Sequence, residues 1–249
     1  MPTVLITGCS SGFGLDTAKF FLDRDWHVIA TMRKPDTGLL STSDRLRILP
    51  LDITDQQSIV QAVAEAGPFD VLVNNAGFGV PSPIELTEPA TAHALFETNV
   101  LGTLALIQAV LPNFRARRTG VIINISSSTT LKALPLVGLY RASKAAVNAM
   151  TESLAIEVEP FGVRVHVVLP GRAPETRFGD NAFVHLRGGE DPDYGPMIKR
   201  IVASIRDQSG LMTRSSDVAE AIFRAATDPS TPLRIAAGAD AEEWLAETK

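Results

Sequence analysis

Short, unbroken apolar runs alternate along the chain with longer stretches in which apolar residues recur every three or four positions. Val4-Leu5-Ile6, His27-Val28-Ile29-Ala30-Thr31-Met32, residues 46–51, Asp70-Val71-Leu72-Val73, Val121-Ile122-Ile123-Asn124-Ile125, residues 163–169 and residues 233–237 have strand length and are rich in β-branched side chains. Apolar runs of this kind suit strands covered on both faces. After the first run, Leu15, Ala18, Phe21 and Leu22 fall on one helical face. Further helices are predicted over residues 55–65, 90–117, 140–159 and 215–226. Strand and helix alternating at this rhythm predict an α/β protein: a doubly wound, Rossmann-type parallel sheet of seven strands with helices on both faces.

Gly67-Pro68 and Pro170-Gly171 punctuate the pattern. Residues 172–194 are polar and irregular, with Gly188-Gly189-Glu190-Asp191-Pro192 inside them. A long loop within a compact fold commonly serves as a lid or binding loop, so residues 172–212 are read as a substrate loop. No repeat, low-complexity tract or linker divides the chain, and residues 1–249 are expected to form one domain.

The 249 residues are 45% apolar and 20% charged, with a net charge of −5. This balance predicts a packed globule, and the absence of a basic tract argues against nucleic acid as a partner. With one cysteine, Cys9, no internal disulfide can form, which suits a reducing cytoplasm. The start lacks a basic region ahead of its first strand and so does not read as a secretory signal. Its longest apolar runs have strand length, so no membrane association is expected and a cytoplasmic location is.

Candidate chemistry concentrates where predicted strands end. Thr7-Gly8-Cys9-Ser10-Ser11-Gly12-Phe13-Gly14 joins the first strand to the first helix. Gly8 permits a tight turn, Gly12 lets backbone approach a pyrophosphate, and Gly14 allows the helix to pack on the strand. The helix N-terminus then offers free N–H groups to phosphates. The second strand ends in Thr31-Met32 without the acidic residue that usually holds a ribose 2′-hydroxyl, and Arg33-Lys34 follow. Cations there suit a 2′-phosphate, so NADP(H) is favoured over NAD(H). Asp52 is read either as the cap of the next helix or as a partner for an adenine amino group. Asn99, in a largely apolar run, is either a satisfied core amide or a distortion that holds a water.

Tyr140 and Lys144 stand four apart on one helical face, and an ammonium near a phenol favours the phenolate. The scattered His27, His93, His166 and His185 show no ligand spacing, so no metal site is expected. Ser127 has neither a nucleophile-elbow sequence nor a His-Asp pattern, which disfavours a hydrolase.

Taken in order, Thr7-Gly8-(three residues)-Gly12-Phe13-Gly14, Asn74-Asn75-Ala76-Gly77, Asn99, Ser127, Tyr140-(three residues)-Lys144 and Pro170-Gly171 resemble the short-chain dehydrogenase/reductase family in its compact single-domain branch. The ending, Arg234 through Ala241, is similar to members related to hydroxysteroid and retinol dehydrogenases. The resemblance implies that Tyr140 is the general acid or base, that Lys144 lowers its pKa and holds the nicotinamide ribose, that Ser127 holds the substrate oxygen, and that Asn99 supports a proton relay. It places Gly8, Ser10, Ser11, Gly12, Phe13, Gly14, Arg33, Asp52, Ile53, Asn75, Ala76, Gly77, Tyr140, Lys144, Pro170 and Gly171 around the cofactor. The family commonly has a Thr five residues after the Pro of its Pro-Gly. Here that position is Glu175, so either Thr176 serves instead or the contact is lost.

The resemblance implies hydride transfer between a nicotinamide and a small-molecule carbonyl or alcohol, in a homodimer or homotetramer. The rival readings are a sugar-nucleotide epimerase or dehydratase, and a non-catalytic NADP-binding redox sensor.

Overall fold

The computed structural model describes residues 1–206 and 209–248. Seven parallel strands form one sheet in the order β3-β2-β1-β4-β5-β6-β7: β1 Thr3–Ile6, β2 His27–Met32, β3 Leu46–Pro50, β4 Val71–Asn74, β5 Gly120–Ile125, β6 Val163–Pro170 and β7 Arg234–Ala237. The fold is the predicted doubly wound one. Because side chains alternate across a strand, each apolar run divides between two cores. Val4, Ile6, Val28, Val73 and Ile123 meet one helical layer, containing Phe21 of α1 (Gly12–Leu22) and Ile222 of α8 (Ser215–Thr227). Leu5, Ile29, Leu72 and Ile122 meet the other, containing Ile59 of α2 (Gln56–Ala66), Leu106 and Phe114 of α4 (Thr103–Arg117) and Leu154 of α5 (Gly138–Val158). Phe21 packs edge-on against both Trp26 and Phe223, with ring centroids 5.0 and 5.2 Å apart.

From β1 the chain winds outward to β2 and β3, then crosses back to β4 on the other side of β1. This reversal opens a crevice beyond the carboxyl ends of β1 and β4, where doubly wound sheets bind their ligands.

Several boundaries differ from the sequence reading. The helix expected over residues 90–117 is three pieces: α3 (Pro89–Phe96), a π-helical turn Glu97–Gly102, and α4. Asn99 lies in the wide turn, so the helix is distorted there rather than regular. The whole run Pro89–Arg117 is long and apolar enough, by length and composition, to cross a membrane, with a mean hydropathy of 1.5 over its most apolar window. The expectation that apolar runs have only strand length is therefore corrected. Its apolar residues are interleaved with uncharged polar ones, which hid the segment from a search for unbroken runs. Leu106, Ile107, Val110 and Phe114 face the core from it, as in a core helix of a folded domain.

Asp52 does not cap α2. Asp55 does, accepting from the backbone N–H groups of Gln57 and Ser58 at 2.8 and 3.4 Å. Asp52 instead closes a turn with Thr54, whose N–H and hydroxyl reach it at 2.9 and 2.7 Å. α8 begins at Ser215 as expected, with Arg214 at the N-cap position and Asp217 accepting the Arg214 backbone N–H at 2.9 Å. The expected substrate loop, residues 172–212, contains α6 (Phe178–Phe183) and α7 (Gly195–Arg206), and a last helix, α9 (Ala239–Glu247), follows β7. Residues 207–208 of the expected substrate loop and residue 249 of the expected domain lie outside the described residues.

Candidate active site

The crevice is tied across its floor by Thr7. Its hydroxyl, at the end of β1, accepts the backbone N–H groups of Asn75 and Ala76, both at 2.9 Å, beyond the end of β4. The Asn75 side-chain amide returns the link, donating to the Thr7 carbonyl at 2.8 Å. Gly8 and Gly12 have positive φ angles of 73° and 57°, a backbone state that favours glycine. At Gly14 a Cβ would stand 2.5 Å from both the Gly8 carbonyl oxygen and Asn75 Nδ2, so only glycine lets α1 start this close to the turn. Ser11, at the N-cap position of α1, makes no side-chain cap bond, which leaves first-turn N–H groups without that partner.

Beside this turn lies a groove of about 240 Å³ lined by Ser10, Ser11, Gly12, Leu15, Asp16, Leu39, Glu175, Thr176 and Arg177. Thr176 stands over Gly12, its Cβ 3.6 Å from where a Gly12 Cβ would be. A glycine cradle, uncapped helix N–H groups and an adjoining groove fit a pyrophosphate. Arg33, exposed just after β2, is close enough to Asp52 for its charge to help hold that carboxyl below the ordinary range, after the two hydrogen bonds from Thr54. Ile53 is buried and packs against Gly102 of the π-helical turn.

Ser127, Tyr140, Lys144 and Asn99 converge at the ends of β5 and α5, all buried. Burial pushes the Tyr140 phenol up to about 12, and a hydrogen bond with Ser127 works against that rise. Burial brings the Lys144 amine down to about 8. Lys144 Nζ donates to the Ile125 carbonyl at 2.8 Å and lies 6.0 Å from the centre of the Tyr140 ring. The Lys144 ammonium thus points to backbone, and burial sets the direction of the Tyr140 phenol.

Asn99 is a fully engaged amide. Its Oδ1 accepts Phe78 N–H at 3.1 Å, and its Nδ2 donates to the Phe78 carbonyl at 3.0 Å and to Ser143 Oγ at 3.1 Å. A Cβ at Gly77 would lie 2.8 Å from Asn99 Oδ1 and 3.4 Å from Lys144 Nζ, so glycine at this position is what lets the two polar groups approach. Behind the site, Asn74 donates to Asn124 at 2.8 Å and Asn124 to Thr151 at 2.9 Å, fixing β4, β5 and α5 together.

The stretch after β6 closes over Tyr140. The Phe178 ring packs against the Tyr140 ring, centroids 5.7 Å apart, and sits on Gly79. Tyr194 donates to Glu85 at 2.7 Å, and Arg187 pairs with Glu88 at 2.9 Å, tying this stretch to the loop before α3. Sequence reasoning missed Thr7 and Arg177 as site residues and did not place Phe178 on Tyr140. For Thr7 a signal existed in its place before Gly8, but Arg177 and Phe178 reach the site only through tertiary folding. Among the described residues, no group of three or more His, Cys, Asp or Glu side chains could hold a metal ion.

The family model described as short chain dehydrogenase matches residues 2–183. The chain belongs to the short-chain dehydrogenase/reductase family. It is an oxidoreductase of that family, acting on small molecules with a nicotinamide cofactor. It is 34% identical over 250 residues to 3-ketodihydrosphingosine reductase of Bacteroides thetaiotaomicron, covering 99% of this chain and 91% of that one. To human retinol dehydrogenase 8 it is 33% identical over 257 residues, covering 93% and 80%. Among solved structures, a short-chain dehydrogenase from Streptomyces avermitilis superposes with a TM-score of 0.84 at 32% identity, covering 99% of this chain and 91% of that one. A serine dehydrogenase complexed with NADP+ gives 0.83 at 26%, covering 96% and 95%. The 3-ketoacyl-(acyl-carrier-protein) reductase of Brucella melitensis, complexed with NADH, gives 0.78 at 25%, covering 94% and 96%.

Proposed function

We propose that this short-chain dehydrogenase interconverts an apolar ketone or aldehyde with its alcohol, preferring NADP(H), with Tyr140, Ser127, Lys144 and Asn99 as its working groups. The observation that carries the reading is the convergence of those four buried side chains beyond β5 and α5, next to a crevice whose glycine turn fits a dinucleotide. The reduced nicotinamide, when bound, supplies the hydride. Ser127 holds the substrate oxygen as negative charge grows on it. Tyr140, with its phenol held protonated, gives its proton to that oxygen. Lys144, as an ammonium, stabilises the phenolate left behind once it turns from Ile125 toward Tyr140 and a ribose, and its burial makes its own proton easier to pass on. Asn99 holds the backbone of Phe78 and the hydroxyl of Ser143, which keeps the lysine's surroundings polar for proton return.

Preference for NADP(H) is supported by Arg33 beside Asp52, with no acidic residue at the end of β2. Pro170, Gly171 and Thr176 would border the nicotinamide side. Residues 172–212 would be the substrate lid, and exposed Phe178 against Tyr140, with exposed Ile84 against Gly138, favours an apolar substrate. Exposed Leu101 beside α4 and Ile156 on α5 support self-association through those helices. A cytoplasmic location fits the single cysteine.

The test is Tyr140→Phe against a panel of steroid, quinone, aldehyde and keto-ester substrates. The variant is expected to bind NADPH as the wild type does and to lose turnover by about 10²-fold or more. An unchanged kcat would remove Tyr140 from the reaction.

A further inference from the structure

The turn that leaves β6 is gripped by residues far along the chain, outside the residues the family model matches. The Asp240 carboxylate accepts Arg172 N–H at 2.6 Å through one oxygen and the Thr213 hydroxyl at 2.7 Å through the other. The Thr213 hydroxyl in turn accepts Gly171 N–H at 3.0 Å, and Thr213 N–H donates to the Arg172 carbonyl at 2.9 Å. Asp240 and Thr213 are buried, with 6% and 1% of their surface exposed, so these bonds are shielded from competing water. Asp240 lies in the first turn of α9, where the helix dipole favours its negative charge. The packing is tight enough to dictate residue type. A Cβ on Gly171 would run into the Asp240 carboxylate, and one on Gly238 would run into the Thr213 hydroxyl. Four residues on, Glu175 accepts the N–H of Ser215 at the start of α8 at 2.6 Å, which leaves Thr176 over Gly12.

We propose that Asp240 and Thr213 are positioning residues for the nicotinamide half of the coenzyme, acting as a latch that sets the backbone of Gly171 and Arg172. This rests on the reading above, in which Pro170-Gly171 borders the nicotinamide. The grip falls on the part of the loop that faces the reacting ring. Arg33 and Asp52, at the adenosine end, lie across the sheet beyond β2 and β3. Loosening the latch therefore weakens one half of the site and spares the other. A residue that merely kept the fold together would affect both halves.

The experiment compares Asp240→Ala, Thr213→Val and Asp240→Asn in the full chain. Dissociation constants are measured by fluorescence titration for NADPH and for 2′,5′-ADP, which carries only the adenosine end. Asp240→Ala and Thr213→Val are expected to bind NADPH about tenfold more weakly while 2′,5′-ADP affinity stays within about twofold. Asp240→Asn is expected to restore NADPH binding. Its amide oxygen can accept Arg172 N–H while its NH₂ donates to Thr213, whose hydroxyl then turns to the Ala237 carbonyl 2.9 Å away. Equal losses for NADPH and 2′,5′-ADP, or no loss of either, would overturn the latch. If Asp240→Ala fails to fold, Thr213→Val, which removes one hydroxyl at nearly constant volume, decides the matter. The affinity pattern among the variants, with a wild type that reduces no carbonyl, would overturn the proposed reaction and leave the latch standing.

Discussion

Lys144 lies one helical turn from Tyr140 on α5, yet its ammonium donates to the Ile125 carbonyl at 2.8 Å and stands 6.0 Å from the Tyr140 ring centre. The two groups are each displaced by burial in the direction of neutrality, the phenol upward and the amine downward. Buried ionisable groups favour their uncharged forms. In this arrangement the phenol stays a protonated acid, and the amine beside it gives up its proton more readily than an ordinary lysine does.

That arrangement has a cost in stability with a definite pH dependence. Lys144 titrates at about 8 when folded against 10.5 ordinarily, so between those values the unfolded chain binds more protons and stability rises with pH. Tyr140 works in the opposite sense. Its folded value of about 12 against 10.0 means that stability is lost as pH climbs from 10 toward 12. Lys144→Met is expected to abolish turnover and to melt above the wild type at neutral pH, with a gain of about 1–3 kcal/mol. It is also expected to lose the rise in stability between pH 8 and 10.5. Thermal melts across that range check both statements, and a destabilised variant without a changed pH profile would contradict them.

Gly77 is required by its neighbours rather than by its backbone. Gly77→Ala would place a Cβ 2.8 Å from Asn99 Oδ1, displacing the amide that holds Phe78 and Ser143. Turnover is expected to fall by about tenfold or more, and stability by about 1–3 kcal/mol. Steady-state kinetics with a urea titration reads both, and wild-type kinetics would show that Asn99 tolerates the shift.

Arg33 is the residue on which the coenzyme preference turns. Arg33→Ser is expected to raise KM for NADPH about tenfold, because a charge-assisted contact to the 2′-phosphate is lost, and to leave KM for NADH unmoved. Parallel increases for both coenzymes would mean that Arg33 serves some purpose other than reading the phosphate.

Phe178 packs against Tyr140 and is 40% exposed, so it forms a wall of the site at modest expense to the fold. Phe178→Ala is expected to shift kcat/KM toward bulkier carbonyls and to change stability by less than about 1 kcal/mol. A series of ketones of increasing chain length gives the measurement. An unaltered preference across the series would place the substrate elsewhere.

The order of elements, the parallel sheet and the glycine turn were legible along the chain, because each depends on local rules. Apolar runs buried on both faces announce parallel strands, and a glycine at a strand-to-helix joint announces backbone that must come close to something. Tyr140 and Lys144 could be paired because a helix puts positions four apart on one face. Relationships between distant segments could not be read in this way. Nothing local in Asp240 or Thr213 points to Gly171, since β7 and α9 bring them together only after the sheet is complete. Glu175 breaks a family pattern as a bare sequence and has a reason only once α8 offers it an N–H to bind. The direction of the Lys144 ammonium was likewise beyond a spacing argument: helical periodicity assigns a face, whereas competition between a backbone carbonyl and a phenol for one buried charge depends on distances that folding alone sets.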